Sequence, residues 1–375
     1  MINRIKAVAK KELKQIIRDR RLLIVIFFFP VFLLGIFGYA VNFDVKNIHL
    51  AIYDQEKSSL SRDFINTLTS SDYFVITEII NSDSQIKEIL NKKRAQAVLV
   101  IDRDFSKNLF SAKQSEIQVL VDGVDGNTSS IVYNYINVAV FSFNNKIQKE
   151  QFDSKGLTPP KGIEVEPVFW FNPDLKSTHF LIPGLIAMIL IVTSVISVSL
   201  TFVREKEKGT IEQINVSSVS SFELITGKSL PYIIISLINA AFILIAGYIL
   251  FDVVVKGSYI LLFLTTLVFI VASVSLGIFI SVISDSQQVA FSISTFVSLL
   301  PSVILSGFVF PIESMPFLVQ IITNITPAKF YLVILRSIIL KGVGVSAFWD
   351  QLAYLSLFIV MFSSLALIIS KKKEV

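Results

Sequence analysis

Six uncharged, mostly apolar stretches recur along the 375-residue chain, at 22–41, 180–203, 230–251, 259–283, 289–310 and 352–370. Each approaches or exceeds the ~20 residues a helix needs to cross a hydrocarbon core ~30 Å thick. In that medium a segment must satisfy its own backbone polar groups, so spanning helices are the form this pattern permits. The chain is therefore expected to be an α-helical polytopic membrane protein with six transmembrane helices. The first stretch exceeds the ~7–15 apolar residues of a secretory leader and no small-x-small cleavage site follows it, so it is expected to remain as a span.

Basic residues orient the spans. Residues 1–21 carry eight Lys or Arg against Glu12 and Asp19, which places the N-terminus in the cytoplasm. An even number of spans returns the C-terminal tail, 371–375 with Lys371, Lys372 and Lys373, to the same side. Segment 42–179 then lies outside, and its 15 basic against 18 acidic residues leave it at −3. The sequence pI of about 9.1 is accordingly a topogenic signature and no sign of nucleic-acid binding. One stretch departs from the rule. Segment 311–349 should also lie outside, yet it holds Lys329, Arg336 and Lys341 against Glu313.

Residues 2–18 place Ile2, Ile5, Val8, Ala9, Leu13, Ile16 and Ile17 at helical spacing among lysines and arginines. A basic amphipathic helix ahead of a span should lie in the interface with its apolar face toward lipid, and it could also touch a cytoplasmic partner. Segment 42–179 is long enough for a folded domain. His49–Tyr53, Tyr73–Thr77, Ala97–Ile101 and Ile117–Val121 read as short apolar strands; Ser59–Leu68, Ser84–Arg94, Asp104–Phe110 and Asn127–Ile147 read as helices. This predicts an inserted α/β extracytoplasmic domain, either a contact for a periplasmic adaptor or a vestibule for substrate. In 311–349, Pro311, Pro316 and Pro327 break a mixed apolar pattern, as in a re-entrant segment buried against protein or an ordinary outer loop with surface helices.

Several chemistries are excluded. The chain has no cysteine, and its two histidines, His49 and His179, offer no metal spacing. Thr226-Gly227-Lys228-Ser229 imitates a phosphate loop, but position 222 is Phe where that motif needs glycine, so no cofactor, ATP included, is expected on this chain. Spans without ionisable residues argue against an ion-coupled carrier. Their hydroxyls are patterned: Ser294, Ser298, Ser302 and Ser306 share a helical face, and Ser273, Gly277 and Ser281 do the same one span earlier. Small residues at such spacing let helix backbones approach; a lining for a translocation path is the alternative.

The charged run Arg204-Glu205-Lys206-Glu207-Lys208-Gly209 between the second and third spans has to face water or a partner. Thr210-Ile211-Glu212-Gln213 fits a capping box, and Ser220-Ser221-Phe222-Glu223 fits another ten residues on. Between them lies room for a two-turn helix, about 210–217, too short to be stable unless it docks on something. The whole 204–228 loop is expected on the cytoplasmic side.

At these residues the chain resembles the permease subunits of ABC-2 type ATP-binding-cassette exporters. The likeness rests on Arg204–Gln213, on Leu224-Ile225-Thr226-Gly227-Lys228, on Gly307-Phe308-Val309-Phe310-Pro311-Ile312 with Met315-Pro316, and on Pro327-Ala328-Lys329-Phe330-Tyr331, Arg336 and Lys341-Gly342. It covers essentially the whole chain and includes the large outer domain found in a multidrug or sodium exporter-like subgroup. The resemblance implies a bacterial inner-membrane permease working by alternating access. Its partners would be two cytoplasmic ATPase subunits, which carry the ATP and magnesium, and a second permease, identical or paralogous. Arg204, Glu205, Glu207, Gly209, Thr210, Ile211, Glu212, Gln213 and Ile214 would form the ATPase-coupling element. Gly307, Pro311, Pro316, Pro327 and Arg336 would belong to a re-entrant gate. Rival readings are an ion-coupled carrier and a membrane-anchored binding protein.

Overall fold

The computed structural model describes residues 1–40, 47–70, 73–111, 115–124, 126–154, 170–172, 176–209 and 220–373. The chain divides into two compact units, Phe43–Pro167 and the remainder, Met1–Asn42 with Val168–Val375.

The larger unit is helical. It begins with α1 (Ile2–Arg18) and α2 (Arg20–Ala40). The inserted unit contributes β1 (Ile48–Asp54), α3 (Ser59–Thr69), β2 (Phe74–Ile79), α4 (Ser84–Asn91), β3 (Ala97–Ile101), α5 (Phe105–Phe110), β4 (Ile117–Val121) and α6 (Gly126–Ser154). The helical unit then resumes with α7 (Ser177–Glu207), α8 (Ser221–Phe251), α9 (Tyr259–Ile283) and α10 (Gln287–Ile304). It closes with α11 (Phe317–Ile322), α12 (Pro327–Ile339) and α13 (Trp349–Lys373). Among the described residues α7, α8, α9, α10 and α13 are long and apolar enough to span a membrane. The predicted first span falls on α2, a helix of 21 residues whose apolar part, Ile26–Ala40, is shorter than those five. Two predicted boundaries move. The span drawn to Phe310 ends at Ile304, where Pro301 sits in the last turn and Gly307 takes φ +79°. The 204–228 loop shrinks because α7 continues to Glu207 and α8 starts at Ser221.

Helix α7 is the axis of the larger unit. Every residue from Leu181 to Ile191 is buried, as expected of a helix apolar all round. It packs against α2, α8, α9, α10 and α12. Hydrocarbon gives helices no hydrophobic reason to pair, so close approach and hydroxyl bonding must hold them. A Cβ on Gly277 of α9 would fall 2.8 Å from the Val195 carbonyl oxygen of α7, and one on Gly184 of α7 would strike the Phe308 ring. Ser294 donates to Ser199 at 2.7 Å across the α10–α7 contact.

In the inserted unit the strand order is β2-β1-β3-β4, with β1 parallel to β2 and β3, and β4 antiparallel to β3. One face buries Leu50, Ile52 and Leu99 against Phe64 of α3, Phe105 of α5 and Phe143 of α6. The other buries Ala51 and Val98 beneath Ile89 of α4. Ser58 caps α3, its hydroxyl accepting from the Ser61 backbone N–H at 2.9 Å.

Gly277→Ala should destabilise the helical unit by ~1–3 kcal/mol, because a backbone carbonyl cannot yield as a side-chain tip can. An unchanged melting temperature in detergent would rule out the close approach. Phe64→Ala should cost the inserted unit ~3–5 kcal/mol by removing the ring that meets Phe105 and Phe143. Limited proteolysis of the intact protein would show this as selective cleavage within 47–154.

Candidate functional site

The last turn of α7 does not lie free. Its four successive charges reach four other helices. Arg204 Nε donates to Gln287 Oε1 at the start of α10, at 3.4 Å. Glu205 accepts from Lys11 of α1 at 3.0 Å and pairs with Lys228 of α8 at 3.2 Å. Lys206 Nζ donates to the carbonyls of Ser281, Val282 and Ser284 at 2.9–3.1 Å, satisfying acceptors left open at the C-terminus of α9. Glu207 accepts from the Gln287 backbone N–H at 2.7 Å and from the Gln287 side-chain amide, and its negative charge suits that helix start. Arg204, Glu205 and Lys206 are thus half-buried among neighbouring helices, while Glu207 and Lys208 remain exposed to water or a partner.

Lys228 is 1% exposed, so it needs the carboxylate it meets. Its neighbour Gly227 lets α1 approach: a Cβ there would lie 2.8 Å from Val8 Cβ and 3.0 Å from the Ile5 carbonyl oxygen. The Gly-Lys that imitates a phosphate loop is thus a close contact followed by a buried ion pair. Lys228 also stands 5.2 Å over the Phe202 ring. Beside it, Thr201 donates to Tyr232, and the Tyr232 hydroxyl donates to Glu12 Oε1 at 3.3 Å. Glu12 is 2% exposed, and its Oε2 has no protein partner. Glu12, Gln15, Thr201, Arg204, Glu205 and Tyr232 border a cavity of about 80 Å³, roomy enough for water.

Helix α1 packs along α8. Ile16 and Glu12 face the protein and Ile5 and Val8 are half-buried, while Ile2, Leu13 and Ile17 are exposed. Glu12 falls on the stripe formed by residues 5, 8, 9 and 16, a polar residue in an apolar register, which is the signal that could have revealed it. Arg4 pairs with Glu223 at 3.7 Å, and Glu223 closes the capping box at Ser220 that opens α8. Lys11, Glu12, Lys228, Tyr232 and Gln287 were not among the predicted site residues.

Gly209 follows α7 at φ +66°, the left-handed conformation that ends a helix. Thr210, Ile211, Glu212, Gln213 and Ile214, with the two-turn helix expected at 210–217, lie outside the described residues. Ser294, Ser298, Ser302 and Ser306 of the patterned face are all buried; Ser298 and Ser306 donate to the carbonyls four residues back, and Ser302 Oγ has no partner. Pro311 and Pro316 precede short helical turns, and Pro327 is the first residue of α12. Helix α12 meets the segment Phe317–Ile325 at 90°. Arg336 stands near its end and donates to the Phe180 carbonyl at 3.1 Å.

Residues 20–368 match the family described as ABC-2 family transporter protein. The chain belongs to the ABC-2 transporter family. Its curated relatives include the probable multidrug ABC transporter permease YbhS of Escherichia coli (strain K12), 31% identical over 90% of this chain and 89% of that one. Another is the probable multidrug ABC transporter permease YbhR of the same organism, 28% identical over 94% of each chain. ABC transporter G family member 20 of Dictyostelium discoideum is 26% identical over 96% of this chain and 50% of its own length. Family membership spans the helical unit and the inserted one alike.

Neutralising Glu205 strands a buried cation, so Glu205→Gln should destabilise by ~3–5 kcal/mol. Lys11 is 56% exposed at the other end of the pair, and Lys11→Gln should cost under ~1 kcal/mol. Adding Lys228→Met to Glu205→Gln should restore most of the loss. Thermal unfolding in detergent measures all three, and equal losses for the two single variants would refute the arrangement.

Proposed function

We propose that the chain is the permease subunit of an ATP-driven exporter, working with a separate ATPase and a second permease copy or paralogue. Its spans exchange inward- and outward-open arrangements as the ATPase subunits close on ATP and magnesium. Residues 210–217 seat on the ATPase, with Arg204, Glu205, Glu207 and Gly209 as their rigid mount. Both termini are cytoplasmic in a bacterial inner membrane, and the inserted α/β unit faces outward, where an adaptor or the substrate can reach it. Pro311, Pro316, Pro327 and Gly307 shape the gate on that outer side.

The observation that carries this reading is the convergence of four helices, two of them at their ends, on the last turn of α7, directly before 210–217. Displacement of a segment mounted there is passed to α1, α8, α9 and α10 together. Family membership over 20–368 and the permease names of the relatives support the same assignment.

Co-purification with a GxxxxGK[ST] ATPase from the same organism tests it. Deletion of 210–217, or Glu212→Lys, should abolish ATPase capture and ATP-driven export at least ~10-fold while membrane insertion persists. Unchanged capture and export in both variants would sink the docking role.

A further inference from the structure

Two of the three cations that break the basic-residue rule in 311–349, Lys329 and Arg336, have no salt-bridge partner among the described residues. Lys329 Nζ donates to Thr323 Oγ1 at 2.8 Å and Asn324 Oδ1 at 2.7 Å, both neutral acceptors. The Arg336 guanidinium donates to a carbonyl, stacks 3.9 Å from the Phe180 ring, and keeps Nε buried without a partner. Among the described residues no carboxylate comes within 4 Å of either; Glu313 is close enough for both to feel its field but reaches neither. Two positive charges thus face one carboxylate. The charges at the end of α7, by contrast, meet carboxylates, amides and helix ends.

Their depth follows from the helix they share. The Ile339 carbonyl at the end of α12 accepts from the Lys256 N–H, in the connection between α8 and α9, at 3.1 Å. From that end α12 runs back beside α9, where Tyr331 bonds Thr266 at 2.8 Å and stacks on Phe269. At 1.5 Å per residue, Lys329 lies ~15 Å from the Ile339 end, about half of a ~30 Å hydrocarbon core. The 90° turn into Phe317–Ile325 therefore occurs near mid-depth. Lys329 and Arg336 are seven residues apart, so they share one helix face ~10 Å apart, the first deep and the second near the outer end. An ionisable side chain at such depth is costly and marks a site of function. Phe317, Leu318, Ile321, Ile322 and Ile325, exposed on the other limb, give an apolar flank.

We propose that Lys329, oriented by Thr323 and Asn324, and Arg336 are two successive stations for the negative group of an amphiphilic organic anion, a carboxylate, sulfate or phosphate with an apolar tail. The anion supplies the missing charge at Lys329, passes to Arg336 and leaves at the outer end, its tail against the apolar limb. This rests on the transport reading above and specifies its substrate class.

The test uses the permease–ATPase complex in proteoliposomes with two probes of equal chain length, dodecanoate and dodecyltrimethylammonium. Wild type should move dodecanoate in an ATP-dependent manner and discriminate against the cation at least ~10-fold. Lys329→Met should raise the dodecanoate KM about 10-fold, Lys329→Arg should largely retain transport, and Lys329→Glu should reverse the preference toward the cation. Arg336→Gln should slow dodecanoate release with a smaller effect on KM. Equal transport of both probes, or an unchanged KM in Lys329→Met, overturns the anion stations. A wild-type complex that exports other compounds under ATP but neither probe overturns the substrate class and leaves the transport reading standing. A complex with no ATP-dependent transport of any compound overturns that reading, and the stations with it.

Discussion

The pairing of Glu205 with Lys228 is the constraint on which the helical unit turns. A lysine 1% exposed in an otherwise apolar helix cannot stay charged without a carboxylate beside it, and that carboxylate is on α7. Once Glu205 is drawn inward, Arg204, Lys206 and Glu207 on the same turn are aimed at the ends of α9 and α10. A second carboxylate, Glu12 of α1, accepts from the Tyr232 hydroxyl and places that helix against α8. The chain leaves this cluster through a left-handed glycine, Gly209, and returns to it at the capping box of Ser220.

Away from this cluster the packing is held by what is absent from the side chains. Gly277, Gly184 and the serine face of α10 remove bulk where α7 needs neighbours on every side. Hydroxyls fill part of that room and satisfy themselves on carbonyls one turn back or on each other, as Ser294 does on Ser199. A helix so enclosed moves only with its neighbours, which suits an element whose two ends face opposite sides of a bilayer.

Much of the fold was legible because its signals are periodic. Spans follow from length and apolarity, and the strands Ala97–Ile101 and Ile117–Val121 fall where short apolar runs are bounded by turn residues. The capping box at Ser220 was readable as a local motif and marks the true start of α8. Charge partners were not legible. Lys11, Glu205 and Lys228 are far apart in sequence, and no local pattern says that a charged run after a span will fold back on four helices. Glu12 is the instructive miss: its position in the apolar stripe was visible, but a polar residue there reads as an interruption until a buried tyrosine is found opposite it.

The two ends of the bundle handle charge in different ways. At the α1 end Lys11, Lys228 and Arg4 each meet a carboxylate, and Lys206 is spent on three carbonyls. Such charges have little left to offer a passing ligand, and their cost is met by fixing helix positions. Toward the other end Lys329 and Arg336 meet neutral acceptors and an aromatic ring. A desolvated cation with neutral partners is stabilised further by any anion that arrives, so it retains a binding energy that a paired cation has already used. On the proposed reading, polar chemistry for a transported molecule concentrates on α12, and coupling to the ATPase on the last turn of α7. The buried axis of α7 joins the two: Phe180 in its first turn holds Arg336, and Glu205 in its last turn holds Lys228.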